Sequence, residues 1–170
     1  MKAFIIIGMT GEGKSEIVKQ FVSSGRCYVF DVQNEYKDLQ TDVGTYPRMR
    51  HIHGDIKKFR DRAETLKGYS IVWEEATGFF SGAVQERMKR IILSKRHTKC
   101  NHFFIFHSIQ DVPPFMFRLC NYVILHKTND LQADVERKRP ELLPAFMKLK
   151  NKPSRKEGSK IANREIIKLI

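Results

Sequence analysis

The chain has no apolar stretch longer than a handful of residues, whereas a spanning helix needs about 20, so no membrane span is expected. Cysteine is sparse: Cys27, Cys100 and Cys120 are odd in number and show no C-x-x-C spacing. That argues against a disulfide framework and leaves reduced, buried thiols of a cytosolic protein as the expectation. His97, Cys100, His102 and His107 cluster without a recognisable zinc spacing, so His102 and His107 are expected to be packed or hydrogen-bonded rather than metal ligands. Met1 and Lys2 lead straight into an apolar run, and no signal peptide is expected. Carboxylates are the minority charge. Against 19 Asp and Glu stand 31 Lys and Arg, a net charge of +12 that favours a polyanionic partner. Eight Lys or Arg fall between 148 and 170, against Glu157 and Glu165. Phosphate contacts from such a segment would be sequence-independent and salt-sensitive.

What is present is concentrated at the amino end. Residues 8–15, Gly-Met-Thr-Gly-Glu-Gly-Lys-Ser, form a complete G-x-x-x-x-G-K-[ST] loop directly after the apolar run 3–7. A buried strand would carry the chain into a glycine-rich turn whose N–H groups point at a polyphosphate. A helix would then open with its positive end toward the same anion. Gly8, Met9, Thr10, Gly11, Glu12, Gly13, Lys14, Ser15 and Glu16 are therefore the expected nucleotide-binding residues. Lys14 would reach the β- and γ-phosphates of ATP, and the Ser15 hydroxyl would ligate Mg²⁺.

Five apolar runs, 3–7, 27–30, 70–73, 103–106 and 122–125, read as strands separated by helical patterns, the alternation of a parallel α/β sheet. A first helix from Lys14 places Ile17, Val18, Phe21 and Val22 on one face and stops at Gly25. A second follows Asp55 as N-cap and ends at Gly68; a third follows Ser81 and reaches Arg96 and His97. Residues 40–54 read as irregular, with a short extra strand over 48–53, and 130–150 as helix interrupted at Pro140 and Pro144. Composition makes 151–160 a mobile linker or arm.

The run Ile71-Val72-Trp73-Glu74-Glu75 ends a strand in adjacent carboxylates. Successive strand residues point to opposite faces, so both acids serve one site only if the chain turns there. Glu74 would then be the outer Mg²⁺ residue and Glu75 the general base for an attacking water. Strand 103–106 runs into His107-Ser108-Ile109-Gln110, and ligands of open α/β sheets collect at the carboxyl ends of strands. Ser108 or Gln110 could there sense the γ-phosphate.

Together the loop, the run 28–36 (Tyr-Val-Phe-Asp-Val-Gln-Asn-Glu-Tyr), Trp73-Glu74-Glu75, and Arg96-His97 before a strand ending His-Ser-Ile-Gln resemble the HerA/FtsK superfamily of DNA-pumping ATPases. The short chain and Asp-Val-Pro-Pro at 111–114 look most like the genome-packaging ATPases of tailless icosahedral viruses. The resemblance covers about residues 1–130. It implies Lys14 and Ser15 for nucleotide and Mg²⁺, Glu74 and Glu75 as the acidic pair, Gln110 as sensor, and Arg96 as a finger inserted into a neighbouring subunit, with Arg90 as its rival. Two departures stand out: the family usually has Asp where Glu74 stands, and Ile109 separates the hydroxyl residue from the glutamine.

The expected fold is α/β: an ASCE-type, RecA-like P-loop NTPase with a parallel sheet, helices on both faces and the sensor strand between the two Walker strands. One ATPase domain would cover 1–150 and a basic tail 151–170. By resemblance, the chain would form a homo-oligomeric ring, a pentamer or hexamer, in the host cytoplasm. At a virion packaging vertex it would meet capsid proteins and pump double-stranded DNA, gripped by basic residues of the third helix and the tail. Two other functions carry the same loop. One is a small kinase with Arg87, Arg90 and Arg96 as a lid; the other is a phage morphogenesis ATPase.

Overall fold

The computed structural model describes residues 1–23, 25–33, 35–36, 49–52 (backbone alone), 55–80, 82, 84–154 and 163–169. Its strands are β1 (Ala3–Ile7), β2 (Cys27–Asp31), β3 (Met49–Ile52), β4 (Ser70–Trp73), β5 (Asn101–Phe106), β6 (Tyr122–His126) and β7 (Arg164–Lys168). They form one sheet in the order β3-β2-β4-β5-β1-β6-β7. The first six are mutually parallel and β7 runs antiparallel to β6. Strand β5, expected to carry the sensor, thus lies between β1, which feeds the phosphate loop, and β4, which ends in the acid pair. Every residue of β2 is buried and only Phe4 of β1 is not, as in strands covered on both faces.

The helices are α1 (Lys14–Val22), α2 (Ile56–Thr65), α3 (Val84–Leu93), α4 (Lys95–Thr98), α5 (Met116–Leu119), α6 (Gln132–Lys138) and α7 (Leu143–Lys150). On one face, Ile17, Val18 and Val22 of α1 cover Ile6, Val29, Val72 and Ile105. The opposite face is thicker, with α2, α3, α5, α6 and α7 packed over Ile5, Phe30, Trp73 and Phe104. Trp73 anchors this side, meeting Phe59 and Phe79 edge-on. Asp55 caps α2 as expected, its Oδ1 accepting from the Lys58 N–H at 3.0 Å.

Several expectations change. The third helix does not run through to His97: it ends at Leu93, and α4 starts afresh after Ser94. Pro144 does not interrupt a helix but sits in the first turn of α7, where its missing N–H costs nothing. Phe21 remains 42% exposed, stacked on Phe4 and Phe103 at the rim of its layer. Within the segment expected as a basic tail, residues 164–168 form a strand that the sequence reading did not include. Alternating contacts let them add to the edge of β6, from Arg164 opposite His126 to Lys168 opposite Tyr122. The extra strand is seen over Met49–Ile52; Arg48, His53, Ser24, Asn34, Ser81 and 155–162 lie outside the described residues. All three cysteines are buried and free, and among the described residues no helix is long and apolar enough to cross a membrane.

His102 is fully buried in β5, and its Nδ1 accepts the indole N–H of Trp73 at 3.2 Å. The proton of the neutral ring must therefore sit on Nε2, which finds no partner among the described residues. Burial first, then the Lys95 ammonium, pushes its pKa down to about 3. An unfolded histidine titrates near 6.5, so the unfolded chain takes up this proton first. Stability from His102 is complete above pH 6.5 and is lost as pH falls toward 3, by up to ~1.4 kcal/mol per pH unit. His102→Gln, which keeps an acceptor for Trp73, is expected to flatten the fall of Tm between pH 6.5 and 4. Parallel curves for the two chains would exclude this histidine as the source.

Candidate nucleotide site

The loop after β1 is held from both neighbouring strands: the Gly8 N–H donates to the Phe106 carbonyl at 3.2 Å, and the Met9 N–H to that of Lys127 at 3.0 Å. A Cβ on Gly8 would stand 2.6 Å from the Cβ of His126, so β6 passes too close for any other residue. Gly11 (φ 84°) and Gly13 (φ 86°) take left-handed backbone, which costs glycine nothing. Gly13 then leads into α1, whose first-turn amides have no partner within the helix. Lys14 is mostly buried and its ammonium donates to the Met9 carbonyl at 3.0 Å. Burial lowers its pKa, opposed by the charges of Glu74, Glu35, Glu75 and Glu12.

A cleft of about 260 Å³ opens in front of this loop, with β2, β4 and β5 supplying its far wall. The end of β2 reaches across by a turn that Asp31 builds. Its carboxylate accepts the N–H of Glu35 at 2.9 Å and that of Tyr36 at 3.1 Å. The turn presents Glu35 to the Ser15 hydroxyl, which donates to it, and the Tyr36 hydroxyl to Glu74. These contacts give the Asp-x-x-x-Glu-Tyr spacing a physical meaning: one acid folds the turn so that two side chains meet the phosphate loop and the β4 acid.

Glu74 and Glu75 both line the cleft. Adjacent strand residues would diverge, but Glu75 adopts φ 50°, ψ 46°, the left-handed turn that brings both to one side. Such backbone on a non-glycine residue stores strain of order 1 kcal/mol. Desolvation at the cleft floor pushes Glu74 up to about 8 against the hydrogen bond from Tyr36, with Glu35 adding to the rise. Glu75 is held instead by nitrogen donors: His107 Nε2 lies 2.9 Å from its Oε1 and Gln33 Nε2 3.4 Å.

The two sensor candidates point elsewhere. Gln110 donates to Asp134 and accepts from Lys138, both at 3.1 Å, and Ser108 donates to Asp130 at 3.0 Å. Both line an adjoining depression with Met9 and Thr10. Among the residues following β5, His107 faces the acid pair. Sequence reasoning takes His107 as packed or hydrogen-bonded without naming Glu75 as its partner; the available signal was its place directly after Phe106, which pairs with Ile7 at the root of the loop. Arg96 is exposed on α4 before β5, so it lies about 20 Å, one strand length, from the cleft of its own chain. Arg90 is likewise exposed at the end of α3. Arg87 cannot close a lid: it forks onto Glu64 and contacts Asp61 at 2.7 Å, tying α3 to α2.

Among the described residues no group of three or more His, Cys, Asp or Glu forms a metal cage. Mg²⁺ does not require one, since beside a polyphosphate it keeps waters and takes one or two protein ligands. The Ser15 hydroxyl, next to Glu35 and near Glu74, fits that description.

A mostly parallel α/β sheet with a glycine loop after an interior strand, faced across an interposed strand by an acid pair, is the P-loop NTPase fold. No family model matches the chain, and no curated protein matches it in sequence. Solved structures do. The DNA-packaging ATPase B204 from Sulfolobus turreted icosahedral virus is 15% identical, with a TM-score of 0.68 over 90% of this chain and 88% of that one. The genome-packaging NTPase B204 from Sulfolobus turreted icosahedral virus 2 is similar over the same shares. Its ATP-gammaS complex is 11% identical with a TM-score of 0.66, and its AMPPCP complex 13% identical with 0.64. At such identities the likeness establishes the fold.

Proposed function

We propose that this chain is a genome-packaging ATPase that hydrolyses ATP to drive double-stranded DNA into a viral capsid. The observation that carries this reading is a phosphate loop facing Glu75 across the cleft, with Glu75 held by His107, on a fold shared along 90% of the chain with packaging ATPases. ATP is the substrate. Residues 8–16 cradle its phosphates through backbone N–H groups and the start of α1, and Lys14 exchanges the Met9 carbonyl for β- and γ-phosphate oxygens. Ser15 and Glu74 would hold Mg²⁺, which when bound offsets negative charge on those oxygens.

Glu75 orients a water and takes its proton as the new bond to the γ-phosphorus forms and the bond to the β,γ-bridging oxygen breaks, leaving ADP and phosphate. His107 keeps the Glu75 carboxylate aimed and registers its change of charge. The β5 loop then carries that change to α6 through Ser108–Asp130 and Gln110–Asp134, so Gln110 relays the state of the γ-phosphate rather than touching it. A finger that reaches a site one strand length away must come from a neighbouring copy. Arg96, with Arg90 as the other candidate, supplies it in a homo-oligomeric ring at the capsid vertex, in the host cytoplasm.

The test is ATP hydrolysis with and without duplex DNA over a range of protein concentrations. DNA stimulation with a steeper than linear dependence on protein is the expected result. Linear turnover indifferent to duplex would refute the motor, and phosphate passing to a nucleoside or metabolite would identify a kinase.

A further inference from the structure

We infer that the pole of the sheet opposite the nucleotide cleft, where the parallel strands begin, is the surface that receives the DNA phosphate backbone. This rests on the duplex being the partner, as proposed above. The segments leading into β1, β2, β4, β5 and β6 (1–2, 23–26, 66–69, 94–100 and 117–121) contain no Asp or Glu. Each carries exposed cations instead: Lys2, Arg26, Lys67, Lys99 and Arg118. Lys168 joins them, since the antiparallel β7 brings it opposite Tyr122 at the start of β6. At the other pole the acids collect: Asp31, Glu35, Glu74 and Glu75 line the cleft beside Lys14 and Lys19, and Asp130 lines the adjoining depression.

Lys67, Lys99, Arg118 and Lys168 make no ion pair among the described residues. Some of the basic residues expected to grip DNA are already neutralised. Arg87 is bound to Glu64 and Asp61, Lys89 to Glu86, and Lys148 to Glu165 at 2.7 Å.

The spacing suits a polyanion. Six adjacent strands, β2-β4-β5-β1-β6-β7, set about 4.8 Å apart, spread the cations over about 24 Å. That is the rise of about seven base pairs of duplex. Cations at helix carboxyl ends also offset the helix dipole, which accounts for Arg26, Lys67, Lys99 and Arg118. Lys2 and Lys168 follow no helix, and the dipole does not clear every carboxylate from five segments. Arg96 is not needed in the row and stays available to a neighbouring copy.

Binding of a mixed-sequence duplex of about 30 base pairs, measured by fluorescence anisotropy without nucleotide across a salt series, tests the assignment. The variant Lys67→Glu/Arg118→Glu/Lys168→Glu is compared with Lys57→Glu/Lys58→Glu/Lys150→Glu, which reverses equal charge elsewhere. Three lost phosphate contacts are expected to weaken binding about a hundredfold at 0.15 M salt and to flatten the salt slope by about 3. The comparison variant is expected to lose much less. Equal losses in both variants would mean net charge alone and overturn the surface. So would an unchanged pole variant, or one that binds duplex normally but no longer self-associates, which would assign the pole to another copy. A wild-type chain that binds no duplex would instead remove the partner itself.

Discussion

Nucleotide binding by Lys14→Ala is expected to fall by on the order of a few hundredfold, and turnover by a further 10²–10³. The first figure follows from losing two or so charge-assisted hydrogen bonds to phosphate, each worth about 1.5–3 kcal/mol. The second is the usual loss when one preorganised donor to transition-state charge is removed. The structure indicates that the fold survives. Lys14 makes its hydrogen bond to the Met9 carbonyl inside the loop, at a position that opens onto the cleft, where water can replace it. The ammonium does compensate charge, however, because Glu74, Glu35, Glu75 and Glu12 all act on it. A modest drop in Tm should therefore accompany the binding defect. Titration calorimetry with a non-hydrolysable ATP analogue and a thermal melt read the two effects separately. Unimpaired affinity would remove residues 8–15 from nucleotide binding altogether.

The second large effect is catalytic and leaves binding alone. Glu75→Gln keeps side-chain length and tolerates the same φ of 50°, and its amide oxygen can still accept from His107. It cannot take a proton from water. Loss of general-base assistance costs about 10²–10⁴ in rate, so ATP should be held and hardly split, with Kd within about threefold of the native value. Single-turnover measurement with labelled ATP separates retention from chemistry. Hydrolysis at the native rate would eliminate Glu75 as base and turn attention to Glu74. Glu74 is the weaker alternative: it is desolvated at the cleft floor, which raises its pKa to about 8, and is engaged by Tyr36, whereas the Glu75 side chain stays 40% exposed to the cleft.

Deleting residues 151–170 would not isolate the contribution of a tail. Residues 164–168 pair along the whole of β6, and their loss would uncover a sheet edge beside the phosphate loop. Point substitutions on the exposed side of that strand are the cleaner probe of charge.

Much of the architecture was legible because it obeys local rules. The strands β1, β2, β4, β5 and β6 fall on the apolar runs to within two residues, since strands covered on both faces are largely apolar; β7 was not among them. The loop spacing announces itself because only glycine can adopt its backbone and pass so near His126. The adjacent acids were legible as a pair, together with the condition that the chain turn at Glu75. Less legible were the roles after β5. Ser108 and Gln110 have the chemistry of a sensor, yet Asp130, Asp134 and Lys138 claim them. Those partners lie more than 20 residues away, and no spacing rule reveals them.

The sequence alone determined the phosphate loop, the strand-and-helix alternation, the acid pair and the excess of positive charge, because each is written in neighbouring residues and their backbone preferences. Tertiary structure alone decided that Tyr36 meets Glu74, that His107 meets Glu75, that Arg87 is held by α2, and that Lys67, Lys99, Arg118 and Lys168 come to the same end of the sheet. These depend on which strands lie side by side and which way each one runs, and that order is set by packing across the whole sheet.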